Sequence, residues 1–184
     1  CREHDAEFLY LRLLDRRYRV SRKRGTIEWE DESSWRPAGF LDAMTIYDLL
    51  CCAKDGAALS GRYAQAEHLP GTMHGANPAK GAFDDFAARC DEDPEKLKKA
   101  CLALGGIELP MGELSFQVPL FDFLPVMVQF WSSDDEFPAV FKLMWDENVL
   151  QFLRFETVCY AARFLVNRLQ ALMGLTVEEA EGHM

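Results

Sequence analysis

Two periodicities alternate along this chain. Phe8 to Leu14 (FLYLRLL) is a dense aromatic and aliphatic run, and Tyr18, Val20, Ile27 and Trp29 then alternate with charged neighbours across Asp15-Arg16-Arg17 and Ser21–Gly25. Short alternating runs punctuated this closely predict a three-stranded antiparallel meander. The meander is expected to end at Arg36-Pro37, because proline has no N–H for a central ladder. The period then lengthens: Phe40, Met44, Tyr47 and Cys51 lie on one face of a helix that closes at Asp55-Gly56. Residues 57–77 carry no period and hold Gly61, Pro70, Gly71 and Gly75, so they read as the longest loop. Ala79, Phe83, Phe86 and Cys90 share a face of a second helix. Asp93-Pro94 supplies a cap and a first-turn proline for a third, which carries Leu97, Cys101 and Leu104 and stops at Gly105-Gly106.

The last third is the most apolar. Leu114, Phe116, Val118 and Leu120 alternate with Ser115, Gln117 and Pro119, the pattern of a half-buried strand, whereas Val126 to Trp131 is apolar at nearly every position, as in a central strand. Ala139 to Trp145 is expected to pair with it across Ser132–Pro138, with Phe137 tucked back into the core. Val158, Ala162, Leu165, Leu169 and Leu172 then form the apolar stripe of a closing helix that packs on the sheet. The whole reads as an α+β fold: a largely antiparallel sheet, made of the N-terminal meander and the C-terminal strands, packed against about four helices. Residues 1–184 are expected to form a single globular domain, with a flexible tail over 174–184.

Composition narrows the function. With 184 residues, 49% of them apolar, and 13 Phe with 4 Trp, the chain can bury a sizeable core. No stretch is long and apolar enough to span a membrane, and no charged-then-apolar leader is seen, so a cytoplasmic protein is expected. The six cysteines, Cys1, Cys51, Cys52, Cys90, Cys101 and Cys159, include no C-x-x-C pair, and they read as reduced thiols, most of them on apolar stripes. Net charge is −10, yet Arg16, Arg17, Arg19, Arg22, Lys23 and Arg24 crowd one short segment. Such a patch could meet phosphate or an acidic partner, or simply decorate the solvent face of strands and a turn. An acidic chain argues against nucleic acid as the partner.

No constellation of residues specifies a reaction. The acidic knot Asp134-Asp135-Glu136, followed by Phe137, offers hard oxygen ligands, to which Asp146, Glu147 and Glu156 could add if the strands fold back together. The calcium-loop spacing is missing, however, and three acids equally serve to keep a hairpin loop soluble. His68 and His74, six apart in the glycine-rich loop, could ligate a transition metal with a carboxylate, but they lack the helical i, i+4 spacing of zinc enzymes. Nucleophile turns and phosphate-cradling loops are also lacking. Cys159 could act as a thiolate, although its place beside an apolar stripe favours burial.

The run W-x-x-D-D-E-F-P-A-x-x-K-L-x-x-D, Trp131 to Asp146, resembles that of the bacterial domain of unknown function family 3786. The likeness continues through Phe152-Leu153, Glu156 and the closing helix, and more faintly to the meander around Arg17-Tyr18. The resemblance implies no activity and names no cofactor. Some relatives resemble fusions with a four-cysteine iron–sulfur module of the kind found beside corrinoid proteins, which implies an iron–sulfur or corrinoid-associated protein as a partner; that module is absent here. Two readings follow. The first is a non-enzymatic accessory or binding module acting through a partner protein or small ligand. The alternative is a metal-binding protein or metal-dependent enzyme built on the Asp134-Asp135-Glu136 loop.

Overall fold

A computed structural model describes residues 3–70 and 83–175, and all structural statements below concern those residues. Ten strands form two antiparallel sheets, joined with four α-helices into an α+β fold. The first sheet is a meander of β1 (Glu3–His4), β2 (Phe8–Leu13), β3 (Arg16–Ser21), β4 (Ile27–Asp31) and β5 (Ser34–Pro37), in that order. Helix α1 (Phe40–Cys52) leads to β6 (Tyr63–Ala64) and a 3₁₀ turn at Ala66–His68. Helices α2 (Asp84–Glu92) and α3 (Pro94–Ala103) precede β7 (Ile107–Glu108), β8 (Leu114–Phe121), β9 (Leu124–Trp131) and β10 (Val140–Asp146), and α4 (Phe155–Leu172) closes the fold. The second sheet runs β6-β10-β9-β8-β7.

The expected sheet of meander and C-terminal strands is thus two sheets, and a local contact joins them. At the β2–β3 turn, Leu14 takes the left-handed conformation, with φ 52°. That conformation is costly for a residue with a Cβ, roughly 1–2 kcal/mol. Leu14 is nevertheless buried, and its N–H donates to the Leu120 carbonyl at 2.8 Å, so one tight turn both closes a hairpin and joins the first sheet to β8. The expected three-stranded meander also gains strands. Glu32, again with φ 52°, turns the chain into β5, where Pro37 pairs with Glu28. The meander ends at Pro37, as expected, and β5 tolerates the proline because it is an edge strand, where a missing N–H faces no ladder.

The core follows the apolar runs. Val126, Val128 and Phe130 of β9 are fully buried, and Met127 and Gln129 on the opposite face are buried too, as the continuous apolar run predicts. One cluster of buried side chains runs from Leu13 and Tyr18 through β8–β10 to Leu165 and Leu169. In α2 and α3, Phe86, Cys90, Leu97 and Cys101 point inward, as their spacing predicts. Helix α4 is buried more widely than one stripe, since Phe164 and Val166 join Val158, Ala162, Leu165 and Leu169 while Leu172 is exposed. Its helical neighbours are α1 and α3. Leu175 bonds back to Gln170 at 2.9 Å and packs on the core; residues 176–184 of the expected tail lie outside the described residues.

Helix α1 is turned the other way from its sequence pattern. The stripe Phe40, Met44, Tyr47 and Cys51 faces solvent, with Phe40 64% and Tyr47 53% exposed. The buried face instead carries Asp42, Thr45, Ile46, Asp48 and Leu49. Burying two aspartates is tolerable only because each is met by donors. The Tyr18 hydroxyl donates to Asp42 at 2.9 Å, and the Arg154 N–H donates to Asp48 at 2.6 Å, which gives α4 an anion at its N-terminus. Burial alone pushes the Asp48 carboxyl up; the Arg154 N–H, Cys52, Thr157 and the Arg154 guanidinium outweigh it and hold it below its ordinary range. Asp48→Ala is expected to cost about 1.5 kcal/mol, because the freed α4 N–H groups lie beside exposed Arg154 and regain water. A urea titration followed by circular dichroism measures the loss.

Candidate functional site

A cavity opens where the inverted helix meets the basic segment. It is a groove of about 1030 Å³ between the β3–β4 turn and α1. Met44, Tyr47, Ile27 and Phe8 supply apolar wall, and Arg22, Lys23 and Arg24 stand on the turn. The turn projects because Gly25, at φ 70°, reverses the chain between β3 and β4, with the Ser21 N–H bonded to the Thr26 carbonyl at 2.9 Å. Lys23 and Arg24 form no ion pair among the described residues, and Arg22 donates to the Asp5 backbone carbonyl at 3.1 Å. Glu7 and Glu28 also line the groove, but Glu28 is already held by Arg19 at 2.8 Å.

The six basic residues named from the sequence thus divide into two groups. Arg16 lies 4.0 Å over Trp29, and Arg17 lies over Tyr10 and meets Glu30 at 3.6 Å. Arg19 stacks on both Phe8 and Trp35. These three arginines are engaged by rings and carboxylates of the first sheet, which is what a decorated strand face provides. Arg22, Lys23 and Arg24 are exposed on the turn and rim the groove.

The acidic tip is built differently. Ser132 donates through its N–H to Glu113 at 2.7 Å, and Ser133 donates through N–H and hydroxyl to Asp91 at 3.0 and 2.6 Å. Those two donations hold the Asp91 carboxyl below its ordinary range. One oxygen of Asp134 accepts from the Glu136 and Phe137 N–H groups at 2.8 and 2.7 Å, closing a turn on itself. Asp135 and Glu136 are exposed, and Phe137, expected in the core, is 64% exposed because this turn carries its side chain outward. Glu156 is exposed on the first turn of α4, and His68 is exposed at the end of the 3₁₀ turn. His74 lies outside the described residues.

Asp146, a further oxygen donor named from the sequence, is already occupied. It is fully buried and accepts from the Ser60 N–H at 2.9 Å, the Gly61 N–H at 2.8 Å, the Asn148 N–H at 2.8 Å and the Ser60 hydroxyl at 3.1 Å. Residues 57–70 are consequently no free loop: Asp146 staples them to the end of β10, and β6 pairs there. Among the described residues, no three His, Cys, Asp or Glu side chains gather where they could hold a metal ion. Cys52, Cys90, Cys101 and Cys159 offer little nucleophilicity. Burial pushes Cys90 and Cys101 up to about 12 and raises Cys159, while the Asp48 carboxylate raises Cys52.

The groove escaped sequence reading because its apolar wall looked like a core stripe. One signal was available: Asp42, Thr45 and Asp48 recur at helical spacing, so α1 carries two candidate inner faces. No helix among the described residues is long and apolar enough to cross a membrane. Comparison with curated proteins and with solved structures finds no match. The sequence model of the family described as Domain of unknown function (DUF3786) matches residues 2–168, nearly the whole chain, and the protein belongs to that family.

Proposed function

We propose that this protein is a non-enzymatic accessory or binding module that takes an acidic, apolar-bearing segment of a partner protein into the groove between the β3–β4 turn and α1. The observation that carries this reading is the outward pair Met44 and Tyr47 beside the cations Lys23 and Arg24. Apolar side chains left in water beside uncompensated charge cost stability unless something covers them. A segment carrying both acids and large apolar residues satisfies both needs, and the cations would also steer its approach. The alternative, a metal site on the Asp134-Asp135-Glu136 loop, finds no donor set among the described residues, and Asp134 already spends one oxygen on two backbone N–H groups.

The probe is a fluorescein-labelled peptide of alternating glutamate and leucine, read by anisotropy. Binding is expected at low salt and should weaken steeply as ionic strength rises. The double variant Lys23→Glu/Arg24→Glu is expected to weaken it by about tenfold or more, since like charges then face each other. Met44→Asp should have a similar effect, while circular dichroism stays unchanged because both sites are exposed. Equal binding of a glutamine–leucine peptide, or undiminished binding by the charge-reversed variant, would overturn the proposal.

A further inference from the structure

The acidic tip carries the same two chemistries as the groove, with the charge reversed. Asp135 and Glu136 are exposed carboxylates, and Phe137 stands between them and Pro138 with most of its ring in water. Exposing a phenylalanine on a loop is unfavourable, and here the loop is held to do so. Ser132 and Ser133 are tied to Glu113 and Asp91, Asp134 closes the turn, and the Asp134 N–H donates to the Phe137 carbonyl at 3.0 Å. A knob ordered before it docks loses little conformational freedom on binding.

Placement on the fold decides what the knob can reach. The sheets join at Leu14 and Leu120. The groove lies at the other end of the β2–β3 hairpin, where Phe8 pairs with Ser21. The tip lies at the end of the β9–β10 hairpin where Trp131 pairs with Val140, remote from the Val126–Trp145 end that neighbours the junction. Each feature thus occupies the far end of its own sheet, clear of the contact that unites them.

We propose that the Asp135-Glu136-Phe137 tip of one copy docks into the Arg22–Arg24 and Met44–Tyr47 groove of a second copy. This rests on the groove being a binding site for acidic, apolar segments, and it identifies such a segment within the chain itself. Charge complementarity selects the second copy as the occupant: an acidic chain carries its exposed basic turn beside an unfilled apolar wall, and a preformed acidic–aromatic knob elsewhere. Phe137 enters the groove between Met44 and Tyr47 while its two carboxylates meet Lys23 and Arg24. The two patches differ, so the contact either adds copies head-to-tail into a ring or an open chain or, where both tips reach both grooves at once, closes a reciprocal two-fold dimer. A contact made by one loop tip is small and therefore transient. It leaves the groove open to competition from another acidic segment.

Charge exchange tests this directly. Sedimentation velocity on the full chain at low salt is expected to show mass rising with concentration, and added salt should suppress the rise. Asp135→Lys/Glu136→Lys and, separately, Lys23→Glu/Arg24→Glu should each weaken self-association by about tenfold or more, because each then opposes like charges. An equimolar mixture of the two variants should associate again, since the reversed tip of one matches the reversed groove of the other. Phe137→Ser should weaken association without any change of charge. A monomer at every concentration, association unaffected by the tip variants, or no recovery in the mixture overturns the proposal. The glutamate–leucine peptide separates the two ideas: if it binds the groove while the protein stays monomeric, the groove assignment survives and self-docking fails; if neither occurs, both fall.

Discussion

Asp146→Ala is expected to lower unfolding stability by about 3 kcal/mol, the largest loss of any single polar substitution considered for this protein. The carboxylate is fully buried and accepts four hydrogen bonds, three of them from backbone N–H groups. Alanine takes one shared acceptor from the half-buried Ser60 and Asn148 and the exposed Gly61, which water replaces only in part, and it releases residues 58–62 from β10. Bonds to a charged acceptor contribute about 1.5–3 kcal/mol each when measured singly, and they overlap when they share one group. Urea titration at neutral pH reads the loss, and faster hydrogen exchange at Ser60 and Gly61 should accompany it. Burial pushes this carboxyl up, but the Ser60, Asn148 and Gly61 N–H groups together outweigh burial, so it titrates below its ordinary value of 3.8. A depressed carboxyl contributes stability that is present above pH 3.8 and lost as pH falls through the lower folded value. Acid should therefore erode the wild type below about pH 4, and Asp146→Asn should flatten that part of the curve. An unchanged slope in Asp146→Asn would show that other acids dominate.

Tyr18→Phe is expected to have the next largest effect, about 2 kcal/mol at neutral pH. Tyr18 is fully buried, and its hydroxyl is the donor to buried Asp42. Burial raises the Asp42 carboxyl above its ordinary value, and the Tyr18 hydroxyl, the Ala43 N–H and the Arg16 guanidinium pull against it. Here the sign reverses. A raised carboxyl contributes stability that is fully present below the unfolded value of 3.8 and lost as pH rises through the folded one. Removing the hydroxyl raises the folded value further, so the penalty of Tyr18→Phe should grow from acid toward neutral pH. Paired urea titrations across that range measure it. A penalty that is constant with pH would mean that the lost hydroxyl matters through packing and not through Asp42. Because Asp42 sits on the first turn of α1, the same substitution loosens the helix that forms the groove wall, so peptide affinity should fall with it.

The two aspartates show how tertiary context set what their identity could not. Asp146 ends an apolar strand, and its place in W-x-x-D-D-E-F-P-A-x-x-K-L-x-x-D was visible as a feature of the family. That it holds Ser60 and Gly61 was not visible, because its partners lie 85 and 86 positions away. Asp42 and Asp48 lie off the Phe40, Met44, Tyr47 and Cys51 stripe of α1, and burying a carboxylate is costly without a donor. The donors, Tyr18 and the Arg154 N–H, come from β3 and the start of α4, and only folding brings them there. The same inversion turned the groove's apolar wall into an apparent core stripe, so half of the candidate site was hidden by a sound local argument.

What the sequence determined by itself is the sum of its local periods. The alternation in the N-terminal third, the apolar run at Val126–Trp131, the Asp93-Pro94 helix start and the wide stripe of the last helix placed strands and helices and made the fold α+β. The exposed basic turn and the acidic tip were also legible, because charge density needs no partner to be read. Only the tertiary structure decided that the strands form two sheets joined at Leu14 and Leu120, that α1 shows its aromatic face to water, and that Phe137 points outward. Each of these outcomes is a choice between faces or registers that the chain alone leaves nearly equal. Long-range hydrogen bonds to buried carboxylates and backbone carbonyls break that tie, since leaving such groups unpaired costs more than exposing an apolar side chain.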